Sequence, residues 1–485
     1  MTALILTITA ALAILVVLLV AGAPVFVGFL AVNIIGILYY FGPSGFGLFA
    51  NSIFTTATTD TLAAVPLFIV MGELLFRSGA MEVLFSSLDR LVGRVRGRQY
   101  ILCILLSAIL GALSGAAMAV AGLLGRSLYP AMVKRGYDPK LSAGTILGGA
   151  SLDPIIPPSV LAVILATIAQ ISTGKLLIAG MGPGILLTIM YLIYVGIRLW
   201  FDPALAPDVS SEDDRKKGSA LLALVQMLPA CFIFFLVMGL VMLGVATPTE
   251  AAATGVFGAL ILSYFYGGLT SSMLRESFYA GVTVSSLLLL IMCSAVMFSQ
   301  LLTFAGAPQL FGEMVRTMQL PAPVIIFIML ALPFFLHILL FLDQVALFFI
   351  LVPIYKPILA SYQVDEIWFF TMLLIVATVG GISPPFGYTL FAMKSALPNS
   401  SMTELYKAAW PFVWIICLGT FIVAIFPGIA TWLPNLMGGH SPCGPLGRSL
   451  NLRPLALSQE FENAISRPDC WSIFFSYPAG CCVRR

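Results

Sequence analysis

Charged residues make up only 9% of this 485-residue chain, and histidine occurs twice. A water-soluble body of that size carries about a quarter of its residues as Asp, Glu, Lys and Arg, so a soluble globular fold is excluded. Enzyme signatures are missing too. There is no HExxH, no paired-His metal site, no GxSxG elbow and no Walker-type glycine-rich loop. Without a nucleotide site the chain is no primary pump by itself. The eight cysteines form no CxxC pair and no metal-ligand spacing; Cys103, Cys231, Cys293 and Cys417 lie in apolar runs, where a small buried hydrophobe is the default reading. The N-terminus has no basic n-region and no cleavage site, so its first apolar run reads as a span. The net charge of +3 is spread over loops and leaves no footprint for nucleic acid.

What is present in abundance is apolar: 60% of the residues are hydrophobic. About 20 apolar residues cross a bilayer as a helix. Runs of that order recur, among them Leu4–Val20, Ile101–Leu124, Ile178–Trp200, Leu221–Val245 and Phe412–Phe426. The chain is therefore expected to be an all-α polytopic protein of the lipid bilayer.

An internal repeat organises these runs. Pro157-Pro158 recurs as Pro384-Pro385, Gly79 as Gly306, Pro130 as Pro357 and Asp138 as Asp365, all at a constant offset of 227 residues. The first copy spans 1–200, the second 219–436, and the polar stretch 201–218 is the linker between them. Lys and Arg collect in cytoplasmic loops, and the copies differ in where they carry them. Residues 89–98 hold Arg90, Arg94, Arg96 and Arg98, whereas 316–325 hold only Arg316. Residues 134–140 hold Lys134, Arg135 and Lys140, whereas 361–367 hold no base. The copies are expected to be inverted. If both basic loops of the first copy share one side, the segment about 99–133 enters the membrane and returns, as two short spans or a re-entrant hairpin. The small residues Gly111–Ala117 permit its turn. A matching hairpin is expected at about 325–357, with Asp343 near its tip, entering from the opposite face.

Each hairpin is followed by an apolar helix interrupted by a double proline, at about 141–170 and 366–396. Proline has no N–H and clashes with the preceding turn, so the helix unwinds there. Freed carbonyls can coordinate a cation, and the N-terminus of the next half-helix attracts an anion. Two such breaks at corresponding places in an inverted repeat point to a carrier's site; the alternative is a pair of packing kinks. Asp153 and Asp343 are the deepest acids. An intramembrane carboxylate is costly unless paired, protonated or facing water, so both are read as facing an aqueous cavity, with a turn reaching the interface as the alternative for Asp153. Glu73 and Glu250 are expected to cap or staple helices near the surface. His337 reads as a packing residue. Energy would come from an ion gradient, in which each charge moved is worth about 2.3 kcal/mol per 100 mV.

The order Leu113-Ser114-Gly115, Pro130-Ala131-Met132, Lys134-Arg135-Gly136-Tyr137-Asp138, Ile156-Pro157-Pro158-Ser159 and Ala179-Gly180-Met181-Gly182-Pro183-Gly184 resembles the large M subunit of tripartite ATP-independent periplasmic (TRAP) transporters. Thr247-Pro248-Thr249-Glu250-Ala251-Ala252, the Asp343 hairpin, Pro353-Ile354 and Ser383-Pro384-Pro385 continue it, over about residues 1–436. The resemblance implies an elevator-type carrier in the bacterial inner membrane that imports an organic acid, such as a C4-dicarboxylate or sugar acid, by sodium symport. A periplasmic binding protein would deliver the substrate and a small four-helix Q subunit would stand beside the chain. By position, one sodium site would involve Ser114, Ala117, Asp153, Ile156 and Pro158. The other would involve Leu340, Gly380, Ser383 and Phe386. Substrate would lie near Ser114, Gly115, Pro157, Ser159, Asp343, Pro384 and Pro385. The chain departs from the family pattern at Ala116 and Ala117, which replace two serines, at Asp153, which replaces a glycine, and at Tyr388-Thr389, where an asparagine is common. The segment 437–485 holds the other four cysteines and reads as a disordered tail, whether native or the product of an altered reading frame. Other readings are an ion-coupled carboxylate carrier that works alone, with a proton taken up by Asp153 as one form of coupling, and an intramembrane enzyme acting on a lipid or peptide.

Overall fold

In lipid a backbone must satisfy its own hydrogen bonds, and every regular element among the described residues is helical. The computed structural model describes residues 2–92, 95–207, 220–266, 268–340, 344–384, 387–398 and 400–437. The segments 208–218 and 438–485, and with them most of the expected linker and the tail, lie outside the described residues. The first copy contains α1 (Thr2–Val20), α2 (Val25–Tyr40), α3 (Phe46–Ala57), α4 (Ala64–Arg77), α5 (Ala80–Val92), α6 (Arg98–Ser114), α7 (Ala117–Lys134), α8 (Pro139–Ala150), α9 (Val160–Ala169), α10 (Thr173–Ala179) and α11 (Met181–Phe201). The second contains α12 (Ala220–Met242), α13 (Pro248–Phe265), α14 (Ser271–Phe304), α15 (Ala307–Met318), α16 (Ala322–Leu340), α17 (Gln344–Ser361), α18 (Glu366–Ile382), α19 (Tyr388–Ala396), α20 (Met402–Ile425) and α21 (Gly428–Met437). The stretches Thr173–Phe201, Ser271–Phe304, Gln344–Ser361 and Met402–Ile425 are each long and apolar enough to cross a bilayer.

The repeated landmarks do the same local work in both copies. Asp138 accepts the Leu141 N–H at 2.7 Å and Asp365 the Trp368 N–H at 2.8 Å, capping α8 and α18. Gly79 and Gly306 turn the chain at φ +82° and +80°, a left-handed conformation that costs glycine nothing. Glu250 closes a capping box with Thr247 at the start of α13. Glu73 instead pairs with Arg77 at 3.0 Å, and Arg77 also binds Glu276, joining α4 to α14. The copies differ in the run that ends at Arg77 and at Phe304. Gly42–Ala57 and Asp60–Arg77 meet at a 51° bend, whereas α14 runs unbroken for 34 residues.

The helices α6 and α7 form the first hairpin, turning at Gly115 (φ +61°). Its open ends share a side. Tyr100 Oη and the Asp138 N–H both donate to the Leu205 carbonyl, at 2.6 and 3.0 Å, and Arg96 donates to Pro203 at 2.7 Å. The basic loops are therefore held together. At the second hairpin, α16 and α17, Tyr362 Oη donates to the Leu320 carbonyl at 3.1 Å, again joining the open ends.

The half-helices after the breaks cross over. From its break, α19 runs alongside α7, where a Cβ on Gly125 would lie 2.8 Å from Met393 Sδ and 2.9 Å from Ala396 Cβ. In the same way α9 runs alongside α17, whose Lys356 ammonium donates to the Ala169 carbonyl. So α8 and α9 lead from the open end of the first hairpin toward that of the second, and α18 and α19 lead back. The copies are antiparallel, as the uneven basic loops require.

Close approach holds this arrangement together. A Cβ on Gly144 of α8 would stand 2.6 Å from the Ala408 carbonyl oxygen and 2.9 Å from Phe412 Cε2 on α20. Small residues at such crossings let helix backbones meet in lipid. Gly144→Leu is expected to destabilise by about 3 kcal/mol or more, lowering the melting temperature in detergent. An unchanged melting curve would show that α8 and α20 do not meet this way.

Candidate functional site

The first break lies between α8 and α9. Leu152–Ile155 closes only short turns, with the Ile155 and Ile156 N–H groups both on the Leu152 carbonyl at 3.0 Å. The Pro157–Pro158 peptide is cis. Ser159 caps α9: its hydroxyl donates to the Pro154 carbonyl at 2.7 Å and accepts the Ala162 N–H at 3.3 Å. That hydroxyl is engaged in closing the break.

Asp153 is buried, at 6% exposure, rather than open to a cavity. Oδ2 accepts the Ala117 N–H at 3.1 Å, which fixes the first residue of α7 to the break. Oδ1 is buried with no hydrogen-bond partner among the described residues. The acid fits because hairpin residue 111 is glycine: a Cβ there would stand 3.2 Å from Asp153 Cβ. At the tip, a Cβ on Gly115 would be 4.0 Å from the Pro158 carbonyl oxygen. The hairpin tip, Asp153 and Pro158 therefore form one cluster. The backbone of Ser114 ends α6 beside it, with its side chain outside the described residues.

Behind the break stands the segment Gly180–Gly184. A Cβ on Gly180 would overlap the Ile155 carbonyl oxygen, one on Gly182 the Ile429 carbonyl oxygen, and one on Gly184 would lie 2.7 Å from Ile156 Cγ1. Gly180 and Gly184 form the flat wall on which the unwound segment rests, and Gly182 lets α21 approach from the other side. The outer side of Ile156 faces an apolar cavity bounded by α6, α11 and α12.

In the second break α18 ends at Ile382, and the Ser383 N–H still reaches the Val379 carbonyl at 2.8 Å. Ser383 Oγ is buried, at 1% exposure, and has no partner among the described residues. Gln344, the residue equivalent to Ala117, donates from Nε2 to the Ala377 carbonyl at 2.7 Å and to Tyr388 Oη at 3.3 Å. Thr389 donates to the Gly381 carbonyl. Tyr388 and Thr389 thus brace the break. Pro384 is half-buried beside it; Asp343, Pro385, Phe386 and the Leu340 side chain lie outside the described residues.

Gly380 is the equivalent of Asp153, and the two copies exchange bulk there. A Cβ on Gly380 would stand 2.7 Å from His337 Nε2 on α16. Where the first copy sets a carboxylate against a glycine of the hairpin, the second sets a glycine against an imidazole. His337 Nδ1 lies 2.8 Å from the Pro333 carbonyl, which can only accept, so Nδ1 carries the proton and Nε2 presents a lone pair. Nε2 is buried without a partner. Its place at the break is legible only once Gly380 is known to face it.

A hard cation takes oxygen ligands, and the residues present fit that demand. Among the described residues each break offers a buried side-chain oxygen with no hydrogen-bond donor, Asp153 Oδ1 in one and Ser383 Oγ in the other, as do several positions away from the breaks. Among the described residues no group of three His, Cys, Asp or Glu side chains could hold a metal ion.

Comparison with known proteins agrees with this geometry. Residues 12–429 match the family model described as "Tripartite ATP-independent periplasmic transporter, DctM component". The C4-dicarboxylate TRAP transporter large permease protein DctM of Pseudomonas aeruginosa is 29% identical over 82% of this chain and 92% of its own length. The ectoine TRAP transporter large permease protein TeaC of Halomonas elongata is 25% identical over 86% and 97%. The sialic acid TRAP transporter permease protein SiaT of Haemophilus influenzae is 28% identical over 78% of this chain and 60% of its own length. The crystal structure of the YdaH transporter of Alcanivorax borkumensis shares the fold, with a TM-score of 0.54 at 16% identity over 83% of this chain and 91% of that one. A multi-pass helical protein with two inverted copies, whose match runs through both breaks, is a permease rather than an enzyme, and the chain belongs to the DctM family of tripartite ATP-independent periplasmic transporters.

Proposed function

We propose that this protein is the membrane permease of a binding-protein-dependent secondary transporter that imports an organic acid by sodium symport across the bacterial inner membrane. The observation that carries the reading is the pair of inverted breaks, each with one buried oxygen that no donor among the described residues satisfies. Burying such an oxygen unpaired costs about 1–3 kcal/mol, a cost that a bound cation removes. Asp153, with the Pro158 carbonyl and the backbone of Ser114, Ala117 and Ile156, would hold one sodium ion. Ser383, with Gly380, Phe386 and the backbone at Leu340, would hold the other.

The cations would supply positive charge beside the breaks, where the N-termini of α9 and α19 already favour an anion. Substrate would lie between the hairpin tips, near Gly115, Pro157, Asp343, Pro384 and Pro385. The hairpins and broken helices would move together as the elevator. The relatives' names span C4-dicarboxylates, ectoine and sialic acid, all carrying a carboxylate. A periplasmic binding protein would deliver the acid, and a small Q subunit would complete the membrane part.

The test is uptake into proteoliposomes containing this chain, its small subunit and its binding protein, with sodium and proton gradients imposed separately. Accumulation is expected only with inward sodium. Uptake that ignored the sodium gradient, or that persisted without the binding protein, would overturn the coupling or the tripartite reading.

A further inference from the structure

Arg126 has no role in anything described so far. It lies on α7, nine residues beyond Ala117 and so about 13 Å along the axis from the hairpin tip. The side chain is exposed. Helical side chains lean toward the N-terminal turn, which on α7 means toward the tip. Arg126 Nη2 lies accordingly 3.9 Å from where a Cβ on Gly122 would be, and nothing else approaches that glycine within 4 Å.

A charge at this depth is costly unless it meets water or a partner. An arginine facing lipid extends toward the nearer interface, which for α7 is its C-terminal open end; this guanidinium points the other way. The helices packed on α7 are α6, α8 and α19. Their described acids are committed elsewhere, Asp138 to the Leu141 N–H and Asp153 to the Ala117 N–H. Lys394 on α19 donates to the Pro398 and Ser400 carbonyls. Among the described residues nothing pairs with Arg126. The fold does not demand an arginine here either, since the equivalent residue of the second copy is Pro353.

We propose that Arg126 is a carboxylate-binding residue of the transport path, its guanidinium held over Gly122 about one turn from the first hairpin tip to take the substrate's acid group. A planar guanidinium matches a carboxylate with two parallel N–H···O bonds, and the exposed side of this side chain is where an anion would meet it. This rests on the organic-acid transport reading.

The experiment uses the reconstituted transporter with the first of succinate, sialic acid and ectoine that the wild-type protein accumulates. R126A and R126Q are expected to raise the substrate concentration for half-maximal uptake about tenfold or more, the loss expected of a charge-assisted hydrogen bond. R126K should raise it less, and the sodium dependence should stay within about twofold in all three. If R126A and R126Q both keep the wild-type half-saturation, or if R126K fares no better than R126A, the proposal is overturned. A variant that fails to migrate as a folded complex is read through the other two. Failure of the wild-type protein to accumulate any of the three acids would instead sink the transport reading, so the two claims fail separately.

Discussion

Asp153→Asn is expected to raise the sodium concentration for half-maximal uptake by about tenfold or more while leaving the melting temperature within a few degrees. Asparagine keeps an oxygen for the Ala117 N–H, so the 3.1 Å tie between the break and the hairpin tip survives. What it removes is the charge, and it turns a donor toward the place where Oδ1 now stands. A unit charge 4 Å from a cation is worth up to about 4 kcal/mol at an effective dielectric of 20, and a third of that is already a factor of ten. Asp153→Ala should separate the two roles. It loses the tie as well, strands the Ala117 N–H at a cost of about 1–3 kcal/mol, and should lower both stability and uptake. Unaltered sodium dependence in Asp153→Asn would leave Asp153 as a cap for α7 and nothing more.

The second large effect is expected at Gly180. A valine there would press on the Ile155 carbonyl, a backbone atom that cannot rotate away as a side chain can. Either α10 and α11 must back off or the strand bearing Asp153 and Pro158 must move. Overpacking of a tight interior costs about 1–3 kcal/mol or more, and here it falls on the segment that forms the site. Gly180→Val should therefore bring uptake near background. Gly196→Val, on α11 where a Cβ would meet nothing within 4 Å, should transport like the wild-type protein. Equal activity of the two variants would mean that the wall behind the break is not needed.

The parts legible in the sequence are those in which one residue's own chemistry dictates the backbone. Asp138 and Asp365 cap helices, Gly79 and Gly306 turn left-handed, and the prolines end α8 and α18, so the repeat and its breaks could be read from spacing alone. The reversed basic loops gave the inversion by the same logic, and the small residues Gly111–Ala117 located the turn found at Gly115. Tertiary placement was not legible. The depth of Asp153 could be inferred, but not that Oδ2 would be tied to a backbone N–H of another helix. His337 read as packing, and it packs, buried with Nδ1 on the Pro333 carbonyl; that the glycine it packs against is Gly380 could not be read. Ser159 read as a substrate ligand from the resemblance, and its further part in closing the break was not legible.

The crossing of α9 onto α17 and of α19 onto α7 has a mechanical meaning. Each half-helix that leaves one break is braced by the arm of the hairpin belonging to the other copy. A shift of the first hairpin to admit or release its contents therefore pushes on α19 and so on the second break, and the converse holds through Lys356 and α9. A half-protein cut at the polar linker would strand both braces. The seam visible in the sequence is not a seam in space, and the two breaks are mechanically coupled across it.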